Sequence, residues 1–253
     1  MLQNSFLFLG LLIFCFGVIL LIKKLLGKAG LYAWIAVASI VSNITAASVG
    51  PMLGLHGVTL ANVPFATVFL TTQMLSISYG YEEGKKGVYV GLFSSLAFVI
   101  CMMICSYLIP EPYDMVSTHI NSLFAFGSYN MCNTIASVAM FFLATMLDIW
   151  LFNKLNIKLK GKKLWLSKNI ATILSNCLEN FLFVILGLFL LPNLVFNVFP
   201  GSINPSDLMA FGDCLIVALT TCLFECVISF IETPFLYLSK KVVAKDMFTA
   251  AEE

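Results

Sequence analysis

SFLFLGLLIFCFGVILLIKKLLGK, from Ser5 to Lys28, opens with eighteen uncharged residues and closes with three lysines. About 20 mostly apolar residues are enough to cross a hydrocarbon core of roughly 30 Å, and lysines gather on the cytoplasmic flank of such a span. A cleaved leader would carry its positive charge ahead of the apolar run, so this segment is expected to be a membrane helix. Working outward, six more stretches repeat the pattern. The expected spans are 5–22, 31–49, 58–79, 87–109, 126–152, 170–191 and 208–238, an all-α polytopic bundle of about seven transmembrane helices forming a single domain over 1–253. A 60% hydrophobic fraction beside 11% charged residues has no place in a soluble domain of this size.

Every basic residue is a lysine, and all fourteen fall after odd-numbered spans. Lys23, Lys24 and Lys28 follow the first, Lys85 and Lys86 the third, the six from Lys154 to Lys168 the fifth, and Lys240, Lys241 and Lys245 the seventh. The connections 50–57, 110–121 and 192–207 hold none. The positive-inside rule then puts the N-terminus outside and the C-terminus inside, in the cell (inner) membrane. The outer segment 191–207, LPNLVFNVFPGSINPSD, is expected to be a re-entrant or surface turn. A net charge of +1 gives no nucleic-acid footprint. The eight cysteines lie in apolar stretches, where they are expected to pack as small hydrophobes, and no Cys-x-x-Cys pair suggests a metal. His56 and His119 fall in outer loops, so no helix offers a histidine base. Without HExxH, Gly-x-Ser-x-Gly or a Walker-type segment the chain is not expected to be an enzyme or to need a cofactor.

Charges in hydrocarbon cost about 2.5–3.5 kcal/mol each on the insertion scale, so an acid within a span needs a reason. Apart from Asp213, which lies near the outer end of the last span and can reach the headgroups, there are four: Asp148, Glu179, Glu225 and Glu232. Glu179 lies eleven residues past Lys168, about 16 Å along a helix and near the bilayer midplane. Thr172, Asn176, Glu179, Asn180 and Phe183 share one helical face. Thr221, Glu225, Ser229 and Glu232 form a second stripe, followed by Pro234, which can loosen the ladder and serve a gate. The spans contain no lysine, so Glu179 and Glu225 are expected to be protonated, hydrated or facing a cationic or hydrogen-bond-donating ligand. Asn43 and Gln73 are large amides at depth in spans two and three, with smaller stripes at Ser39/Ser42 and at Asn133/Ser137. Single amides in membrane bundles more often bond neighbouring helices than ligands. A midplane acid between two amides favours a small-solute site.

These residues resemble the queuosine precursor transporter family of the vitamin-uptake type. SNITAA at 42–47 resembles its Ser-Asn-Ile-x-Ala motif, and SISYGYEEGKKGVYVG its Tyr-Gly end followed by a basic turn. Asp148, Phe152, Leu155, the LWL at 164–166, ATILSNCLEN at 171–180 and Glu232-Thr-Pro-Phe235 follow in the family's order. Gln73 and Ile77 stand where members carry acids, and Glu225 where a lysine is common. The resemblance implies uptake of a 7-deazaguanine base or a related nucleobase-like compound. It places Glu179 on the ring's N–H edge, with Asn176, Asn43, Gln73 and Asn180 as amide partners. Glu225, Glu232, Asp148 and Pro234 are then candidates for gating or proton coupling, and Phe65 for ring stacking or, more simply, lipid contact. Two alternatives stand beside it: a substrate-binding subunit of an energy-coupling-factor importer, and a scaffold bundle that transports nothing. A homodimer or an energising partner is left open.

Overall fold

The structure, a computed structural model, describes residues 2–46, 49–52, 55–111 and 113–242; Lys245 and the side chain of His56 lie outside what is described. Helix α1 (Leu2–Thr45) is a helical hairpin. Its two halves meet at Gly27, whose φ of 56° and ψ of −131° suit a residue without Cβ. The return half comes so close that a Cβ on Gly30 would fall 2.3 Å from Ile22 Cγ2. Both ends of the hairpin reach the same place. Asn4 donates to the Pro51 carbonyl (3.1 Å), and Thr59 donates to the carbonyls of Thr45 (3.2 Å) and Ala46 (3.0 Å).

Strands β1 (Val49–Met52) and β2 (Leu55–Thr59) follow as an antiparallel hairpin. This corrects spans two and three: Gly50 and Pro51 end helical continuity, so the second pass stops at Thr45 and the third starts at Asn62 in α2 (Asn62–Tyr79). Gly80 (φ 103°) separates α2 from α3 (Tyr81–Cys105), which absorbs the basic turn YEEGKK into its first turns. The 110–121 connection is not all loop. Asp114 accepts from the backbone N–H groups of Val116 (2.7 Å) and Ser117 (3.0 Å) and starts α4 (Ser117–Phe124). Helix α5 (Tyr129–Lys158) and α6 (Leu164–Phe183) leave only a short turn of the long lysine-rich segment. Beyond α6 the helix widens over Val184–Leu190 and runs on as α7 (Leu191–Val198), so much of the expected re-entrant turn is helical. Helix α8 (Phe211–Lys241) carries Pro234 in its interior.

Five helical stretches are long and apolar enough to cross a membrane: Gln3–Thr45, Tyr81–Cys105, Tyr129–Lys158, Leu164–Val198 and Phe211–Lys241. The first doubles back on itself. Helix α2 is more polar because it touches little lipid: it packs against α1, α3, α5 and α8 and is buried almost throughout. Large apolar side chains such as Phe6, Phe14, Phe93, Leu143, Ile216 and Phe230 point outward, as a lipid-facing surface requires. The protein is a multi-pass helical membrane bundle.

The lysine-bearing turns share one end of it. Lys23 donates to Ser78 Oγ (2.8 Å) and the Ser239 carbonyl (2.7 Å), Lys28 pairs with Glu83 (3.1 Å), and the backbone N–H of Trp165 donates to the Tyr237 hydroxyl (3.2 Å). Above that end lies a buried polar layer. Gln73 Nε2 donates to both oxygens of Asp148 (3.0 and 2.9 Å), and Thr172 Oγ1 donates to Asp148 (3.0 Å). Beside it, Lys168 pairs with Glu232 at 2.7 Å and donates to the hydroxyl (2.8 Å) and carbonyl of Ser229. Asn169 completes the group, accepting from Ser229 (2.9 Å) and donating to Thr233 (2.9 Å).

Lys168 therefore is not a loop lysine: it is fully buried on α6, and the expectation that no lysine neutralises an intramembrane acid fails for Glu232. The cysteines need a correction as well. Cys15, Cys132 and Cys214 are buried small hydrophobes, but Cys177 and Cys222 are bridged between α6 and α8 (Cα–Cα 5.4 Å). Cys226 brings a third sulfur, all three lying within 4.8 Å of one another.

Two expectations test this packing. Gly84 of α3 sits where a Cβ would meet the Thr72 carbonyl at 3.0 Å and Ile149 Cδ1 at 3.0 Å. Gly84→Val should therefore force α3 off α2 and α5 at a cost of about 1–3 kcal/mol, read as a lower thermal midpoint of the detergent-solubilised protein. Lys168→Met leaves Glu232 buried without its partner and should cost about 3–5 kcal/mol in the same assay. Adding Glu232→Gln should restore most of that loss, and a double variant as unstable as the single one would show that the pair is not the cause.

Candidate functional site

A cavity of about 460 Å³ occupies the half of the bundle away from the lysines. That falls within the range of small-molecule sites, about 300–1,000 Å³. The return half of α1 contributes Asn43, the start of α2 Asn62 and Phe65, and α5 Tyr129, Asn133 and Ser137. The far wall is Glu179, Asn180 and Phe183 from α6 with Thr221 and Glu225 from α8. Each polar group is there for a local reason. Glu179 and Asn180 are neighbours at the end of α6, and helical spacing in α8 stacks Thr221 directly over Glu225.

The helix beyond Asn180 shapes the rim. Pro192 has no N–H to offer the carbonyl four residues back, and its ring would crowd that carbonyl. The ladder responds by widening: Leu191 N–H bonds to the Leu186 carbonyl, one residue further back than in an α-helix. Gly187 lets the widened turn approach α5, where a Cβ would lie 2.9 Å from that of Ala136. Val184 and Leu188 thereby join the cavity wall.

Several polar atoms on the wall are left without a protein partner. Asn43 Nδ2 donates to the Ser39 carbonyl (2.8 Å) and Ser95 Oγ (3.1 Å), but its Oδ1 is unbonded. Asn62 Nδ2 and Asn133 Oδ1 are also buried and unbonded. Asn180 Nδ2 donates to Glu225 Oε2 at 2.6 Å, which uses one of the acceptor positions that a carboxylate offers. Among the described residues neither Glu179 nor Glu225 pairs with a lysine. The arrangement is an aromatic-edged pocket with two carboxylates and several free amide atoms, suited to a planar solute that donates more hydrogen bonds than it accepts.

Of the residues singled out from sequence, the structure gathers Glu179, Asn180, Glu225 and Asn43 around this cavity. Gln73 and Asn176 are not among its lining residues: Gln73 is committed to Asp148, and Asn176 is buried in α6. Asp148 and Glu232 lie in the polar layer, with Pro234 two residues further along α8. Phe65 lines the cavity and stacks against Phe141 (centroids 4.5 Å apart) instead of meeting lipid. Asn62, Tyr129 and Asn130 were not anticipated. Asn62 precedes the apolar run of its helix, where an amide passes for a helix-start residue, and only the α1–α2 packing turns it inward.

Comparison with known proteins fits this picture. A protein of Bacillus subtilis (strain 168) described as "Probable queuosine precursor transporter" is 27% identical over 247 residues, covering 97% of this chain and 98% of the relative. No solved structure matches. Residues 59–239, which include α2, α3, α5, α6 and nearly all of α8, match the family model described as "Putative vitamin uptake transporter". The chain belongs to that putative vitamin uptake transporter family.

Proposed function

We propose that the chain imports a queuosine precursor, a 7-deazaguanine base, across the cell membrane, binding it in the cavity between α1, α2, α5, α6 and α8. The observation that carries this reading is the pairing of carboxylates with unbonded amide atoms on one cavity wall. A guanine-like ring presents two donors side by side, its N1–H and its exocyclic amine. A carboxylate accepts both in one plane, as it does from a guanidinium fork. Glu179 is the acceptor for that edge, Asn62 Nδ2 is free to donate to the ring carbonyl, and Phe65 and Phe183 are within the wall to cover the ring faces. The long-range similarity to a relative described as a transporter of such compounds supports the same solute class.

The positive-inside rule assigns the lysine-bearing end to the cytoplasm, so the cavity lies toward the outside and the polar layer beneath it closes the inward path. Asp148, Glu232 and Pro234 sit where that path must open, which makes them the gate side of the transporter. Binding and release are then handled by different sets of residues. The chain acts as a carrier and carries out no chemistry on its solute.

Whole cells expressing the protein should accumulate labelled 7-deazaguanine base well above cells lacking it. Glu179→Gln should reduce that uptake at least tenfold while leaving the amount of folded protein in the membrane unchanged. Uptake no greater than in empty cells would remove the reading, and full uptake by folded Glu179→Gln would remove Glu179 from the site.

A further inference from the structure

We infer that Cys177, Cys222 and Cys226 form a binding site for a soft metal ion, Cu(I), once the Cys177–Cys222 bridge is reduced. The site goes beyond the transport reading and stands apart from it, since none of the three cysteines is among the residues lining the cavity. Cys177 comes from α6. Cys222 and Cys226 come from α8, where a spacing of four stacks them one turn apart on one face. All three sulfurs lie within 4.8 Å of one another. The buried Cys15, Cys132 and Cys214 join no such group among the described residues.

The donor set decides the metal. Among the described residues no histidine or carboxylate joins the three sulfurs. Zinc in a closed site takes four ligands in a tetrahedron, and calcium and magnesium take oxygens. Three soft sulfurs without a fourth ligand suit Cu(I), which thiolates favour. With metal–sulfur bonds near the zinc–sulfur length of about 2.3 Å, the sulfurs of a three-coordinate site stand about 4 Å apart. A cluster no wider than 4.8 Å reaches that spacing by side-chain rotation. The bridge is then the oxidised, metal-free form of the same cluster. A dithiol opens it by exchange: two electrons pass to the sulfurs of Cys177 and Cys222, each sulfur takes a proton, and the dithiol leaves as a disulfide. When Cu(I) binds, each thiol that becomes a thiolate ligand releases its proton to water. The three cysteines are half-buried, so their sulfurs are not sealed inside the bundle. The bound ion ties α6 to α8 as the bridge does, through three residues instead of two.

The test uses the full-length protein in lipid nanodiscs, with Cys101→Ser and Cys105→Ser removing the exposed pair on α3 that would compete for metal. After reduction with a dithiol and removal of the reductant, Cu(I) is titrated without oxygen against a coloured Cu(I) chelator, and X-ray absorption counts the sulfurs around it. One Cu(I) should bind per chain with a shell of three sulfurs. Cys177→Ser, Cys222→Ser and Cys226→Ser should each weaken binding at least tenfold. Cys226→Ser retains the bridge and should keep the thermal midpoint of the unreduced protein, so its loss of Cu(I) reports a missing ligand. Failure of the reduced protein to hold Cu(I) against the chelator, a three-sulfur shell that survives Cys226→Ser, or Zn(II) held as tightly as Cu(I) would each overturn the inference and leave the transport reading standing.

Discussion

The constraint on which the rest depends is that the bilayer interior supplies no water to polar side chains, so each must be answered from within the bundle. Lys168 and Glu232 show the strictest case. Both are essentially unexposed, and their 2.7 Å contact ties α6 to α8 across the lysine-side half of the molecule. Around them Ser229 accepts from Lys168 and donates to Asn169, which donates in turn to Thr233, and Gln73 and Thr172 donate to Asp148 on α5. Four helices are thus joined by groups that would each be unfavourable alone. Hydrophobicity gives no reason for helices to associate in lipid, so such contacts, with close approaches like that at Gly84, determine which helices are neighbours.

The same constraint explains what could be read from sequence. Length and apolarity mark the membrane-crossing helices because the hydrocarbon core sets both, and the lysine spacing groups the turns at one end. Glu179 and Glu225 stand out because midplane acids are rare, and helical periodicity is enough to put each beside its amide or hydroxyl neighbour. What failed depended on contacts between distant segments. Lys168 belongs by position to a run of loop lysines, and only Glu232, 64 residues later, makes it a core residue. Gln73 looks like a binding amide until Asp148, 75 residues away, claims it. The bridge between Cys177 and Cys222 and the inward placement of Asn62 are equally invisible to local pattern. The β1–β2 hairpin was missed because its residues continue the apolar character of the spans on either side.

The four intramembrane acids therefore fall into two kinds. Asp148 and Glu232 have their partners built in, so they hold the bundle's shape whatever occupies the cavity. Glu179 and Glu225 have no lysine partner among the described residues, and Glu225 accepts one hydrogen bond, from Asn180. That division lets one set of helices serve both purposes. Helix α6 carries Lys168 and Thr172 in the closed layer and Glu179 and Asn180 in the cavity, and α8 carries Glu232 and Glu225 in the same two tiers. Because both tiers lie on α6 and α8, the contacts that fix how these two helices pack also fix where Glu179 and Glu225 stand.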